Sequence, residues 1–314
     1  MIVNLILSLV FLFLLIKSAG YAIRYSSRLA RILHFPEFIV SFFVIAIISV
    51  LPEASISIIS AIKGNAELGF GTLLGSNIMD LTLVFGIVAL FSSGGINVKS
   101  KILQNNFFYL ILLVFPLILG IDGNFSRIDG AILLILGISF FILLYRQSTK
   151  FRKKFTTSHK GSFFKSMIFL IASLSILLIS ALYAVKYAIN FSQDIKIPEI
   201  VIGMTILALG TCLPELIFSI KAVRENKDEL ALGDIFGTVI TDATIILGAV
   251  ALISPFSYEP LNIYVLGGAM VLAGIIATFF MKSKKSINKV EGVILILFYV
   301  LFLFIEFFIN KVFS

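Results

Sequence analysis

The chain has 314 residues, of which 59% are hydrophobic and only 13% are charged, and its mean hydropathy is +1.10. This composition excludes an ordinary water-soluble domain, so we predict that a lipid bilayer is the solvent of the folded chain. The net charge of +8 does not indicate nucleic acid binding, because the basic residues recur at the ends of apolar segments.

Ten apolar runs approach the roughly 20 residues that a helix needs to cross the hydrocarbon core. They lie near residues 2–21, 36–62, 68–92, 104–121, 128–146, 163–189, 198–221, 230–253, 262–281 and 290–310. The first run has no basic residue before Lys17, unlike a signal peptide, so we expect it to be retained. The sequence therefore predicts an all-α polytopic membrane protein with ten transmembrane helices.

Most of the 25 basic residues lie in alternate loops, after runs 1, 3, 5, 7 and 9. The longest basic loop extends from Arg146 to Lys165, whereas the loops on the opposite side carry few Lys or Arg. By the positive-inside rule the basic side is cytoplasmic. We therefore expect a multi-pass protein of the cell membrane with both termini outside the cytoplasm.

A polar sequence interrupts the apolar runs twice, at positions 162 residues apart. The matching segments are Ser49-Val50-Leu51-Pro52-Glu53 and Thr211-Cys212-Leu213-Pro214-Glu215, followed by Gly75-Ser76 with Asp80 and by Gly237-Thr238 with Asp242. Five runs precede the basic loop and five follow it, so the second half enters the membrane from the opposite side. We predict two inverted five-helix repeats, residues 1–147 and 163–314, joined by a cytoplasmic linker at 148–162.

Pro52 and Pro214 predict a break near the middle of runs 2 and 7, because proline forces the preceding residue out of helical geometry. The helix that restarts at each proline places Glu53 and Glu215 in its first turn, where the helix dipole stabilises a carboxylate. The unwound residues before each proline would expose backbone carbonyls to a cation.

Softer breaks are expected in runs 3 and 8 at their glycines, Gly75 and Gly237. A hydroxyl follows each glycine and an aspartate comes four residues later, which places both side chains on one helix face. Ser57 and Ser219 follow the two glutamates by the same spacing, although hydrogen bonds to their own helices would explain these serines equally well.

Four carboxylates at mid-membrane are not expected to be structural, because an unpaired charge there costs about 3 kcal/mol even on a lenient scale. Mixed carboxylate, hydroxyl and carbonyl oxygens are the ligands that hard cations such as Ca²⁺ prefer. The two halves therefore predict a duplicated cation site.

Both motif pairs resemble the two alpha repeats of the calcium/cation antiporter superfamily, whose sodium/calcium exchanger branch carries G-T-S-L-P-E followed by G-S-N-x-x-N/D. The resemblance extends over nearly the whole chain, including Gly120-Ile121-Asp122-Gly123 and Ile128-Asp129-Gly130 between runs 4 and 5. It implies a secondary transporter that moves Ca²⁺ one way across the membrane and a monovalent cation the other. We therefore predict an antiporter, not an enzyme and without a cofactor, that exports Ca²⁺ from the cytoplasm in exchange for Na⁺ by alternating access. Runs 1 and 6 would be the sliding helices.

The resemblance also implies a metal site shared by the two halves. Glu53 and Glu215 correspond to the central calcium ligands, which the counter-ion uses in turn. The other implied ligands are Ser49 and Thr211 with the carbonyls of Ala46 and Ala208, Ser76 and Thr238 along the cavity, and Asp80 and Asp242 at its middle.

The chain departs from the signature at Val50 and Cys212, which replace hydroxyls that help to hold Na⁺ in sodium-coupled relatives. Asp80 stands where sodium/calcium exchangers commonly carry asparagine. Since like charges in a low dielectric oppose each other's ionisation, we predict that at least one of the four carboxyl groups is protonated near neutral pH. Exchange of Ca²⁺ for H⁺ through the same site is therefore the alternative function. Asp234 is a further candidate carboxylate.

Two other classes fit the sequence less well. Residues 231–234 approach the G-x-G-D motif of intramembrane aspartyl proteases, but the first glycine and a partner tyrosine-aspartate pair are absent. A cation channel needs a continuous pore, usually built by several subunits, whereas inverted halves favour alternating access. The predicted partners are inorganic cations and the lipid bilayer, with no nucleic acid; the oligomeric state is unknown and a monomer is compatible with the sequence.

Overall fold

A computed structural model describes residues 1–32, 50–92, 94–98, 107–148, 163–226, 228–259, 261, 263–283 and 286–313. Helices dominate these residues: α1 Ile2–Ile32, α2 Leu51–Ile62, α3 Ala66–Phe91, α4 Phe107–Leu119, α5 Arg127–Ser148, α6 Phe163–Ile195, α7 Glu199–Arg224, α8 228–253, α9 263–283 and α10 Lys289–Phe313. The predicted class of all-α polytopic membrane protein is confirmed.

Among the described residues, seven helices are long and apolar enough to cross a membrane by length and composition: α1, α3 and α6 to α10. Helices α2 and α4 are shorter, and the residues before them, 33–49 and 99–106, lie outside the described part of the chain. Helices α1 and α6 extend beyond the predicted runs, because their polar ends continue the helix past the apolar segment.

Two helices, α3 and α8, form the centre of the molecule. In each of them 83% of the apolar window is buried, against 28% in α1 and in α10. Helix α3 packs against α2, α7 and α10, and α8 packs against α5 and α7. The outer helices α1, α6 and α10 present large apolar side chains such as Phe13, Ile168 and Phe304 at the surface, as a lipid-facing layer requires.

Each central helix contains a turn of π-helix, at Asp80–Val84 in α3 and at Thr241–Ile246 in α8. Within these turns the hydroxyls of Thr82 and Thr244 donate to backbone carbonyls four residues earlier. Threonine hydroxyls that bond in this way loosen the regular helical ladder. The two aspartates therefore lie where the helix widens, a geometry that is frequent at functional sites.

The predicted breaks at Gly75 and Gly237 are wrong, since the α-helix continues through both glycines. Gly75 instead allows close packing of α3 against α7. A Cβ atom at this position would lie 2.4 Å from the Cα atom of Met204. The glycine is thus required by a neighbour that is distant in sequence, not by a change of backbone direction.

Helices α1 and α6 form an antiparallel pair with its own hydrophobic cluster. The N-terminal ammonium group of Met1 lies 2.6 Å from Oδ2 of Asp194, and the rings of Tyr25 and Phe169 stack near the other end. The cluster includes Leu15 and Ala181 and reaches α2 and α7 through side chains such as Ile56 and Leu207. Leu12 lies against Gly210, beside the interruption in α7.

Short antiparallel strand pairs join the two halves. β1 (Ile96–Asn97) pairs with β4 (Ser286–Ile287), and β2 (Asn124–Phe125) pairs with β3 (Phe256–Ser257). β2 and β4 are 162 residues apart, the spacing of the sequence motifs. Each strand pair therefore takes one strand from each half.

Close helix contacts repeat at the same spacing. A Cβ atom at Gly86 of α3 would lie 2.5 Å from the carbonyl of Gly292 in α10, and one at Gly248 of α8 would lie 2.7 Å from the carbonyl of Gly130 in α5. The caps of α5 and α10 repeat as well: Ser126 exchanges hydrogen bonds with Asp129, as Asn288 does with Glu291. Positions 162 residues apart thus have equivalent packing and capping roles.

Candidate functional site

Helix α7 is interrupted at Cys212 and restarts at Leu213, with Pro214 in its first turn. Helix α2 begins in the same way after Val50. The backbone angles agree closely, with φ −72° and ψ −13° at Val50 and φ −75° and ψ −6° at Cys212. Glu53 and Glu215 therefore lie in equivalent first helical turns, as the prolines predict.

The described candidate ligands are buried. The four carboxyl groups of Glu53, Asp80, Glu215 and Asp242 have 0% exposure, as do Ser76, Thr211 and Thr238, and Ala208 is also fully buried. Ala46 and Ser49 lie outside the described residues. The remaining eight predicted positions thus lie inside the helical bundle, away from both the surface and the lipid.

Contacts between the halves bring these residues together. The Ser76 hydroxyl donates to Oδ2 of Asp242 at 3.3 Å and to the carbonyl of Leu73 at 3.0 Å. Sγ of Cys212 lies 3.6 Å from the carbonyl oxygen of Ser76. Helices α3, α7 and α8 therefore meet at one place.

Glu53 and Asp80 interact electrostatically with each other, and both interact with Glu215 and Asp242. Within the described part of the chain, no donor has standard hydrogen-bond geometry to the carboxylate oxygens of Glu53, Asp80 and Glu215, and only longer-range interactions with Thr211 and Cys212 reach Glu53 and Asp80. Buried charges without partners are costly, and like charges aggravate the cost. The arrangement therefore requires positive charge, from a cation or from protons.

The carboxylates surround a common region without closing on one point. Among the described residues, no three His, Cys, Asp or Glu side chains are placed to hold a metal ion. Ca²⁺ takes six to eight oxygen ligands, many of them carbonyls and hydroxyls. A bound cation would therefore need the neighbouring hydroxyls and carbonyls, together with side-chain rotation by the glutamates.

The interruption in α7 is shorter than predicted, since only Cys212 separates the two helical segments. The Ala208 carbonyl accepts hydrogen bonds from the Cys212 N–H at 3.0 Å and from the Thr211 hydroxyl at 3.2 Å. Pro214 has no N–H, so the Gly210 carbonyl loses its usual helical donor. A cation at the Ala208 carbonyl would have to displace the Thr211 hydroxyl. The Gly210 carbonyl is not among the predicted ligands.

The secondary candidates differ from one another. The Ser57 hydroxyl donates to the Gly69 carbonyl at 3.1 Å and so links α2 to α3, which is a structural role. Asp234 is 4% exposed and interacts electrostatically with Glu53, Asp80 and Glu215, so it lies beside the site. The hydroxyls of Thr82 and Thr244 at the π turns were not predicted, because their effect depends on local hydrogen bonds that the sequence pattern does not reveal.

Buried carboxyl and hydroxyl groups from both halves, within membrane-spanning helices, define a transport protein for inorganic cations. The sequence profile of the family described as "sodium/calcium exchanger protein" matches residues 3–146 and again residues 165–308. The chain belongs to this family, and it is accordingly a multi-pass membrane exchanger of cations and not an enzyme.

Several relatives align over almost their whole length. The sodium/calcium exchanger MaX1 of Methanosarcina acetivorans is 26% identical over 98% of this chain and 99% of its own. The putative antiporter CaxA of Alkalimonas amylolytica is 30% identical over 96% of this chain and 97% of its own. A solved structure of the sodium-calcium exchanger NCX_Mj is 28% identical and covers 96% of this chain and 97% of its own, with a TM-score of 0.67.

Proposed function

We propose that this protein is an antiporter that exchanges Ca²⁺ for Na⁺ by alternating access and exports Ca²⁺ from the cytoplasm. The observation that carries the proposal is the group of four fully buried carboxyl groups, two from each half, at the meeting point of α3, α7, α8 and α2. The printed names of the aligned relatives, sodium/calcium exchangers among them, support the same ions.

The proposed architecture is ten transmembrane helices arranged as two inverted repeats, residues 1–147 and 163–314, with the linker 148–162 in the cytoplasm. The two matches to the family profile begin 162 residues apart, at residues 3 and 165. The glycine contacts, the helix caps and the strands β2 and β4 repeat at this spacing. A pair of inverted repeats accounts for the equivalence of the contact of Gly86 with Gly292 and the contact of Gly248 with Gly130.

In the proposed cycle the pair α1 and α6 moves against the rest of the bundle. The hydrophobic cluster of this pair is separate from the main core and includes side chains of α2, α3 and α7, and the pair touches the beginning of α2 and the interrupted region of α7. A displacement of the pair would expose the carboxyl groups first to one side and then to the other. Interfaces between packed helices are suited to such shear motions.

The proposed ligands are divided between the halves. Glu53 and Glu215 bind Ca²⁺ centrally and then the counter-ion, and Asp80 and Asp242 add negative charge between them. Ser76 and Thr238 line the cavity, while Ser49 and Thr211, with the carbonyls of Ala46 and Ala208, complete the shells of Ca²⁺ and the flanking Na⁺.

Proton/calcium exchange is the second candidate function, and two observations favour it. Val50 and Cys212 stand at equivalent buried positions where neither offers a hydroxyl to Na⁺. Asp80 brings the number of carboxyl groups to four, so one Ca²⁺ would leave two negative charges for protons to neutralise.

The proposed orientation in the membrane rests on the distribution of the basic residues. The basic residues Arg24, Lys165 and Arg224 belong to helix ends that the inverted arrangement places on one side. Met1 and Asp194 lie together at the opposite end of the α1 and α6 pair. The positive-inside rule makes the first side cytoplasmic and places the N-terminus outside.

The test is flux through the purified protein in vesicles loaded with radioactive calcium. An imposed Na⁺ gradient should drive calcium release, and a pH gradient alone should not if Na⁺ is the counter-ion. Release driven by the pH gradient alone would support the second candidate. If neither gradient moves calcium, or if calcium passes without any counter-ion, the antiporter proposal is wrong.

A further inference from the structure

Two lysines, Lys63 and Lys186, lie towards the end of the bundle that carries Met1 and Asp194. Lys63 directly follows α2, and Lys186 lies within the apolar run of α6, eight residues before Asp194. An ionisable side chain inside a membrane span is functional by default, and no part of the proposed exchange uses Lys186. The two lysines are therefore a candidate binding site separate from the carboxyl groups.

A direct hydrogen bond brings Lys63 to α6. Its ammonium group donates to the backbone carbonyl of Leu182 at 3.0 Å. Lys186 comes one helical turn after Leu182, and side chains of a helix lean towards its N-terminus, so the Lys186 side chain extends back over the same turn. Burial and, after it, the charge of Lys186 lower the pKa of Lys63. Both lysines are exposed, so the two cations face one region of the surface between α2 and α6.

The acidic side chains nearby are engaged elsewhere. Asp194 pairs with the N-terminal ammonium group, and both carboxylate oxygens of Glu199 accept hydrogen bonds from the Asn65 amide, at 3.0 and 2.8 Å. Among the residues that the structure describes, neither Lys63 nor Lys186 forms an ion pair. Two like charges held together in this way favour an anion from outside the chain.

Aromatic and apolar side chains surround the two lysines as a membrane surface favours. The Lys186 ammonium group lies 5.8 Å from the ring centre of Tyr187, and the rings of Tyr183 and Tyr187 both stack against Phe11. Tyrosine is enriched at the level of the lipid headgroups. Leu178, two turns before Lys186, is 52% exposed, so an apolar surface continues from the lysines along α6. The occupant that fits both surfaces carries an anionic group and hydrocarbon chains.

We propose that Lys63 and Lys186 bind the phosphate group of an anionic phospholipid, represented by phosphatidylglycerol, whose acyl chains lie against α6. Each ammonium group has three N–H donors, and Lys63 uses one of them for the carbonyl of Leu182, so donors remain for the phosphate oxygens. Basic residues at a membrane surface attract anionic lipids, and long lysine side chains reach from an apolar helix to the headgroups. The lipid joins α6 to α2, and its binding does not depend on which ions are exchanged.

The experiment uses the full-length protein in detergent, with phosphatidylglycerol as the probe and native mass spectrometry as the readout. We expect one phosphatidylglycerol to bind at concentrations at which zwitterionic phosphatidylcholine does not. Lys63→Gln and Lys186→Gln should each weaken this binding about fivefold, and the double substitution about 25-fold. The matched control is Lys196→Gln, an exposed lysine just beyond the end of α6, which should bind the lipid as the wild type does. Equal affinity in all of these proteins would overturn the inference.

Further variants separate charge from folding. Lys63→Arg and Lys186→Arg keep the positive charge and should retain the lipid, whereas losses as large as those of the Gln variants contradict recognition by charge. Phosphatidylglycerol should raise the unfolding temperature of the wild type and of Lys196→Gln but not that of the double Gln variant. Excess inorganic phosphate should leave the lipid bound, because it lacks acyl chains. Complete displacement by phosphate would assign the two lysines to a soluble anion and refute the lipid site.

Discussion

Replacement of Gly75 by alanine tests the packing of the two halves beside the site. A Cβ atom there would lie 2.4 Å from Cα and 2.6 Å from the carbonyl oxygen of Met204, both of them backbone atoms that cannot turn aside. Ordinary contact begins at 3.4 Å, so α3 and α7 must separate by about 1 Å. Overpacking of this kind costs about 1–3 kcal/mol, against a gain of roughly 0.5–1 kcal/mol from the helix propensity of alanine.

The matched control is Gly20→Ala in α1, where a Cβ atom would meet nothing within 4 Å. Thermal unfolding in detergent should show Gly75→Ala destabilised and Gly20→Ala unchanged or slightly stabilised. The same separation should disrupt the 3.3 Å contact between Ser76 and Asp242, so calcium exchange by Gly75→Ala should fall as well. Wild-type stability together with wild-type exchange in Gly75→Ala would refute the close contact of α3 with α7.

Three further predictions concern the carboxyl groups and a buried hydroxyl. Glu53→Gln and Glu215→Gln should each abolish calcium exchange in vesicles while thermal unfolding stays close to that of the wild type; full activity in either variant would remove that residue from the site. Asp80→Asn removes one negative charge, so protons should compete less with Ca²⁺ and exchange should persist to lower pH; an unchanged pH profile would exclude Asp80 from proton binding. Tyr258→Phe removes a buried hydroxyl that donates to a backbone carbonyl at 2.5 Å and should cost about 1 kcal/mol of stability. Tyr264→Phe, which removes an exposed hydrogen bond of 3.2 Å, should cost less, and a reversed order in thermal unfolding would contradict this account.

The sequence predicts those features that depend on local chemistry. Proline at positions 52 and 214 indicates where a helical segment starts, and in the structure α2 begins at Leu51 and α7 restarts at Leu213. The composition and the apolar runs predict the class of membrane protein. The spacing of 162 residues, which the motifs define, also separates the equivalent glycine contacts and helix caps of the two halves.

Features that depend on tertiary contacts could not be predicted in this way. The sequence predicts a break at Gly75, whereas the structure shows that this glycine is required by Met204, which is 129 residues away in sequence. The π turns of α3 and α8 contain threonine hydroxyls that donate to carbonyls four residues earlier, and threonine is too common in membrane helices to indicate such turns. The hydrogen bond between Ser76 and Asp242 could not be predicted, because it depends on how the two halves pack together. Helix geometry alone predicts only that Ser76 lies beside Asp80.

The central claim is that the two halves build one shared calcium site. Isothermal titration of Ca²⁺ into the purified protein, with Glu53→Gln and Glu215→Gln as variants, tests it most directly. One shared site predicts that the wild type binds one Ca²⁺ per chain and that either substitution alone removes this binding. Two independent binding events, of which each substitution removes only one, would contradict the shared site.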